Sequence, residues 1–180
     1  MDSMLIVYKS GTGFTKRYAD WIAETVACQK IPFAKISDVD INDYDVIVYG
    51  AGIYAGRIKG LKKFKKKVSD LHGGEIVVFA SGASPYTDEI VSKIKEENFT
   101  DEELNHIEFF YFQSGLNYER MGLTDKILMK SYGTILKLKK NKSDTETGTI
   151  EALAKSYDYS SREQIKPVVD YLQQLLINVR

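Results

Sequence analysis

Three times before Lys95 an apolar run breaks at a glycine turn and gives way to a helical pattern. The runs are Met4-Leu5-Ile6-Val7-Tyr8, Asp45-Val46-Ile47-Val48-Tyr49-Gly50 and Ile76-Val77-Val78-Phe79-Ala80. A strand that is apolar on consecutive positions must be covered on both faces, and strands joined through helices run parallel. This pattern specifies an α/β chain: an open parallel sheet between two helical layers, with ligands at the carboxyl ends of the strands. All three glycine turns fall on that edge.

The first turn is Ser10-Gly11-Thr12-Gly13-Phe14-Thr15. Its glycines permit a bend that a Cβ would block. Three hydroxyls can donate to one anion while the N–H groups of the turn point the same way. A Walker site would need Lys-Ser/Thr after its second glycine, and a dinucleotide fingerprint would need a third glycine; neither pattern is met. A hydroxyl-rich loop with no obligatory cation suits a phosphomonoester such as that of flavin mononucleotide (FMN). An ordinary turn capping a helix is the other reading of these six residues. The second turn is Ala51-Gly52-Ile53-Tyr54-Ala55-Gly56-Arg57 and the third Ser81-Gly82-Ala83-Ser84-Pro85-Tyr86.

Around these turns, Tyr18, Trp21, Ile22 and Val26 mark the buried face of a first helix, which places Trp21 in the core. A second strand is expected within residues 31–36, beginning after Pro32, and a helix from Ile58 through Leu61, Phe64 and Val68. Ile90 and Ile94 mark another helix, and Thr100-x-x-Glu103 reads as a capping box before a fifth strand, residues 108–113. Ser161-x-x-Gln164 opens a terminal helix in the same way. Residues 114–159 are too long for a simple connection and form an insert, lysine-rich and apolar over 122–138, polar and loose over 141–148. No linker divides residues 1–180, so one domain is expected.

Composition narrows the function. Lys+Arg and Asp+Glu are 25 each, so no overall field attracts nucleic acid, and no nucleic-acid partner is expected. The single cysteine, Cys28, excludes an internal disulfide and an all-cysteine metal site, and is expected to pack near a helix end; no metal is expected. The glycine turns hold no cysteine, histidine or paired carboxylates, so no catalytic side chain is assigned and the chemistry falls to a cofactor. No signal-peptide pattern or bilayer-length apolar run is present, so a cytoplasmic location is expected, with surface attachment to a membrane left open.

With the three turns in place the chain resembles the flavodoxin family along nearly its whole length. The resemblance implies a three-layer doubly wound sheet of five parallel strands in the order 2-1-3-4-5, with the long insert after the fifth. It implies FMN as cofactor, with Ser10, Thr12, Gly13, Phe14 and Thr15, together with Gly11, holding the phosphate. Tyr54 and the loop Ser81, Gly82, Ala83, Ser84, Pro85 would flank the isoalloxazine, and Ala51, Gly52, Ile53, Ala55 and Gly56 would complete the site. A carbonyl of the Gly52 or Gly56 turn would accept a hydrogen bond from the reduced ring. Within the family, Ile53-Tyr54-Ala55-Gly56-Arg57 and Gly115-Leu116-x-Tyr118 are similar to the branch containing menaquinone-dependent protoporphyrinogen oxidase. That branch's tail motif is echoed only loosely, by Ser143-Asp144-Thr145-Glu146-Thr147 and Tyr157-Asp158-Tyr159-Ser160.

That branch implies a quinone-linked oxidoreductase with a tetrapyrrole substrate and peripheral contact with the inner face of the membrane. The lysines at 59, 62, 63, 65, 66 and 67, and those at 126, 130, 137, 139, 140 and 142, supply charge for such contact. Two alternatives stand beside it. One is a soluble flavodoxin electron carrier serving a redox partner, against which the zero net charge and long insert count. The other is a flavodoxin-like binding module without redox chemistry.

Overall fold

In the computed structural model, which describes residues 4–69, 71, 74–141 and 155–178, the first apolar run becomes strand β1 (Met4–Lys9). Its side chains alternate between two faces, as the strand period of two requires. Leu5 and Val7 enter one core, Met4 and Ile6 the other. The chain then winds through α1 (Phe14–Val26), β2 (Gln29–Pro32), β3 (Val46–Tyr54), β4 (Arg57–Ile58), α2 (Leu61–Val68), β5 (Glu75–Gly82), α3 (Asp88–Asn98), α4 (Asp101–Leu104) and β6 (Ile107–Gln113). The sheet order is β2-β1-β3-β5-β6 with every neighbouring pair parallel. Apart from the short β4, which pairs antiparallel with the end of β3, this is the expected order 2-1-3-4-5.

The helices cover the faces that the apolar runs leave open. On one side Tyr18 and Ile22 of α1 pack with Val168 and Leu172 of the terminal helix, all four fully buried. Trp21 lies edge-on to Tyr18 with ring centroids 5.4 Å apart, half-buried and packed against the margin of this core rather than within it. On the other side Phe64 of α2 stacks on Tyr49 of β3 at 4.3 Å. Complete burial of a side chain such as Phe64 contributes about 1.5–3 kcal/mol over leaving it in water. Cys28 is half-buried just past α1, its N–H donating to the Ala23 carbonyl at 3.2 Å.

The second strand differs from expectation. It occupies Gln29–Pro32, and residues Phe33–Asp38 form a 3-10 turn. Pro32 lacks an N–H and has φ −67°, so it can finish an edge strand but cannot donate to a ladder beyond itself. The Thr100 capping box forms as expected, with Glu103 N–H donating to Thr100 Oγ1 at 3.2 Å and Thr100 N–H to Glu103 Oε2 at 2.9 Å. The Ser161 box does not form. Gln164 instead accepts from Gln113 N–H at 2.7 Å and donates to the Gln113 and Tyr159 carbonyls at 3.2 and 3.0 Å. It gives the Gln113 N–H an acceptor and adds a second donor to the Gln113 carbonyl, which also accepts from the Tyr18 hydroxyl, at the end of edge strand β6.

The insert leaves β6 through β7 (Gly115–Leu116), forms helix α5 (Leu123–Leu138), and returns as β8 (Tyr157–Asp158), antiparallel to β7. The terminal helix α6 (Lys166–Asn178) follows. The stretch expected to be loose falls, after residue 141, outside the described residues, as does the echo of a tail motif at residues 143–147.

Candidate functional site

The first turn meets α1 at Gly13, which is the N-cap residue and adopts φ +100°, a left-handed conformation that glycine takes without strain. Ser10 Oγ accepts from the Gly13 N–H at 3.2 Å. No side chain caps α1. The first N–H groups of a helix have no acceptor within it, so this end presents free donors and the positive end of the helix dipole. A Cβ placed on Gly11 would meet no atom within 4 Å, so the loop is open to an approaching ligand.

The second turn is tighter than its sequence suggests. Strand β3 continues to Tyr54, and Ala55 and Gly56, with φ 47° and 78°, close a two-residue hairpin onto β4. Such turns require positive φ at both positions. Gly56 is also held against the Glu97 carboxylate, which leaves no room for a side chain. Asn98 clamps the hairpin: its amide donates to the Gly56 carbonyl at 2.8 Å and its oxygen accepts from Ile58 N–H at 2.9 Å. The Gly52 carbonyl accepts from Lys59 N–H at 3.0 Å. The Gly52 and Gly56 carbonyls, in the turns expected to offer the reduced ring a hydrogen-bond acceptor, thus each already accept one hydrogen bond within the protein. Tyr54 stands at the hairpin tip, 37% exposed, with Lys59 Nζ 4.9 Å from its ring centroid.

Strand β5 delivers the third turn. Ser81 Oγ lies 2.8 Å from Thr15 Oγ1, and both residues are buried. A Cβ on Gly52 would lie 3.6 Å from the same Thr15 oxygen and 3.9 Å from the Ser81 carbonyl. The three turns thus converge on Thr15. Further out, the Tyr111 hydroxyl donates to the Ser84 carbonyl at 2.6 Å, and burial raises its pKa so that it stays protonated. Tyr18 hydrogen-bonds to the Gln113 carbonyl, and burial pushes its pKa up to about 12.

The expected site residues therefore separate by depth. Gly11, Tyr54, Ala55, Ser84 and Pro85 are exposed, whereas Ser10, Thr12, Gly13, Gly52, Ile53, Gly56, Gly82 and Ala83 are half-buried at the edge. Phe14, Thr15, Ala51 and Ser81 are buried. Ala51 sits inside the sheet, paired with Lys9 and Ala80, so its side chain belongs to the core. The Thr15 hydroxyl is hydrogen-bonded to that of Ser81, and either can be the donor.

The sequence did not single out the cations beside the first turn. A cleft of about 630 Å³ runs along it, lined in part by Thr12, Gly13, Arg17, Leu116, Arg120 and Tyr157. Arg17 donates to Asp158 at 2.5 Å and to Ser160 at 2.7 Å, tying α1 to the returning limb of the insert. Partial burial disfavours the charged Asp158, but the bonds from Ser160 and Arg17 prevail and hold its pKa below the usual value. Arg120 NH1 lies 3.0 Å from the position a Cβ would take on Gly13. The one local signal for it is Asn117, whose side chain accepts from the Arg120 N–H at 3.1 Å and shapes the turn. Among the described residues no cluster of His, Cys, Asp and Glu is placed to hold a metal ion.

A family model described as a flavodoxin domain matches residues 5–146. Among solved structures, a flavoprotein in complex with FMN from Lactobacillus acidophilus NCFM is 17% identical, with 63% of this chain and 93% of that one covered at a TM-score of 0.45. A flavodoxin from the domain Archaea is 18% identical, covering 60% of this chain and 83% of that one at a TM-score of 0.42. The Trp repressor binding protein from Bacillus subtilis is 12% identical, covering 77% and 99% at 0.46. No curated protein matches the chain.

Proposed function

This chain belongs to the flavodoxin-domain family, whose match spans residues 5–146, and from that premise we propose that it binds FMN and transfers electrons through it. The observation that carries this reading is the meeting of all three turns at the Thr15–Ser81 contact, beside a helix end that no side chain caps. Backbone N–H groups in the first turn of α1 hold the phosphate, joined by the Thr12 hydroxyl. Ser10 accepts from Gly13 and keeps its own proton to donate. Tyr54 and the Ser84-Pro85 segment flank the ring. The flavin, when bound, supplies the redox chemistry.

The chain's own part is positioning. Asn98 fixes the hairpin that carries Tyr54, and Tyr111 fixes the loop that carries Ser84. None of the three turns offers a histidine or cysteine, and the Tyr111 hydroxyl, held protonated by burial, is no proton source near neutrality. Proton delivery falls to solvent or substrate.

The finer reading is a quinone-linked oxidoreductase of the branch that includes protoporphyrinogen oxidase, with a tetrapyrrole donor. The phrase Ile53-Tyr54-Ala55-Gly56-Arg57, which builds the hairpin, supports it, as does Gly115-Leu116, which builds β7. Helix α5 supports it too: Leu123, Ile127, Ile135 and Leu138 are exposed on it, beside Lys126, Lys130 and Lys137. Among the described residues no helix is long and apolar enough to cross a membrane, so a lipid-dissolved quinone would be reached from the surface. The lysines near α2 contribute less, because Lys65 is paired with Glu103 at 2.6 Å, Lys67 with Ser37 at 3.1 Å, and Lys59 lies over Tyr54.

Anaerobic turnover with a menaquinone analogue tests this, with protoporphyrinogen and NAD(P)H compared as donors. Faster reduction by protoporphyrinogen supports the branch. Reduction by neither, in a protein that holds FMN, moves the function to a carrier serving a redox partner.

A further inference from the structure

We propose that Arg120, carried on the insert, is the cation for the FMN phosphate, so that the insert forms part of the cofactor site; this rests on the FMN reading above. The turn Ser10 to Thr15 contains hydroxyls and amides but no charged side chain. Three cations lie beside it in the cleft. Lys16 pairs with Asp20 at 2.8 Å, and Arg17 is bound to Asp158 and Ser160. Arg120 is different: among the described residues no carboxylate pairs with its guanidinium.

Its placement suits the role. NH1 is 3.0 Å from the Cβ position of Gly13, the corner at which the uncapped end of α1 begins. A side chain on Gly13 would press on that guanidinium as well as strain the backbone at φ +100°. Asn117 anchors the Arg120 backbone from one side. The β7–β8 pair, tied to α1 by Arg17 and Asp158, holds the flanking segment against the same helix. A guanidinium presents planar, always charged donors that match phosphate oxygens, and its bonds to an anion are stronger than those of neutral groups. The phosphate would then be held from below by loop amides and from the side by Arg120.

The test compares FMN with riboflavin, which has the same ring and no phosphate, by flavin fluorescence titration of the apo-protein. Wild type is expected to bind FMN more tightly than riboflavin. Arg120→Gln is expected to weaken FMN by about tenfold to a hundredfold, the range spanned by one or two steps of 1.4 kcal/mol, and to leave riboflavin unchanged. Arg120→Lys, which keeps the charge without the planar fork, should recover part of the loss, and added salt should weaken FMN less in Arg120→Gln than in wild type. Unchanged FMN affinity in Arg120→Gln overturns the proposal while leaving FMN binding intact. Equal weakening of FMN and riboflavin also overturns it, because Arg120 would then act on the fold. A wild type that binds neither flavin removes the FMN reading and this inference together.

Discussion

Thr15 and Ser81, 66 residues apart in the chain, place their hydroxyls 2.8 Å from each other beneath the carboxyl edge of the sheet. Thr15 lies in the first turn of α1 and Ser81 near the end of β5, so this one bond ties the start of the helix to the third turn.

Ser81→Ala leaves the Thr15 hydroxyl buried with no partner and is expected to destabilise the protein by about 1–3 kcal/mol. Thr15→Val does the same to Ser81. The double variant should cost less than the two single losses added together, because it removes both polar groups at once. Urea denaturation of the three variants measures this; strict additivity would show that the two hydroxyls are not coupled.

The layers and the functional edge were legible in the sequence because their signals are local. An apolar run such as residues 76–80 followed by Ser81-Gly82 announces a buried strand and its turn within a few residues. What escaped depends on distant partners. Nothing near Ala55 and Gly56 reveals that Asn98 clamps them, and Gln164 satisfied a capping pattern while its real partners were the end groups of β6. Pro32 was visible, but which side of it carried the strand depended on β2 being an edge. Arg120 reaches the first turn only because β7 and β8 fold the insert back over α1.

Tyr54→Ala should shift the absorbance of bound flavin and its midpoint potential, since it removes the aromatic at the tip of the hairpin. FMN and riboflavin should be affected alike, because the ring and not the phosphate is the contact. Identical spectra and potentials in wild type and variant would place Tyr54 away from the ring.

Acid should loosen the insert. Partial burial works against the charge on Asp158, but the bonds from Ser160 and Arg17 hold its folded-state pKa below the ordinary aspartate value, so its contribution is present above that ordinary value and is lost as pH falls through the lower folded one. Both partners of the Arg17–Asp158 bridge are more than two-fifths exposed, at 44% and 42%, so solvent screening keeps the effect small. Hydrogen exchange at the β7 amides, corrected for intrinsic rates, should show less protection at pH 3 than at pH 6. Asp158→Asn should remove that difference. A pH-independent pattern in wild type would contradict it.

Helix α5 should bind anionic vesicles and release them as salt is added, each lysine near the surface contributing about 1 kcal/mol. Replacing Ile127, Ile135 and Leu138 with serine should weaken flotation without lowering FMN affinity. No flotation at low salt would assign these exposed residues to another role.

The proposed role of the edge formed by Ser10 to Thr15, Tyr54 and Ser84-Pro85 is to hold FMN. Its most direct measurement is to saturate the purified protein with a mixture of FMN, FAD and riboflavin, remove unbound flavin, and identify what heat releases. One FMN per chain and little of the other two are expected. A colourless protein that retains no flavin, or one that retains FAD in preference to FMN, would contradict it.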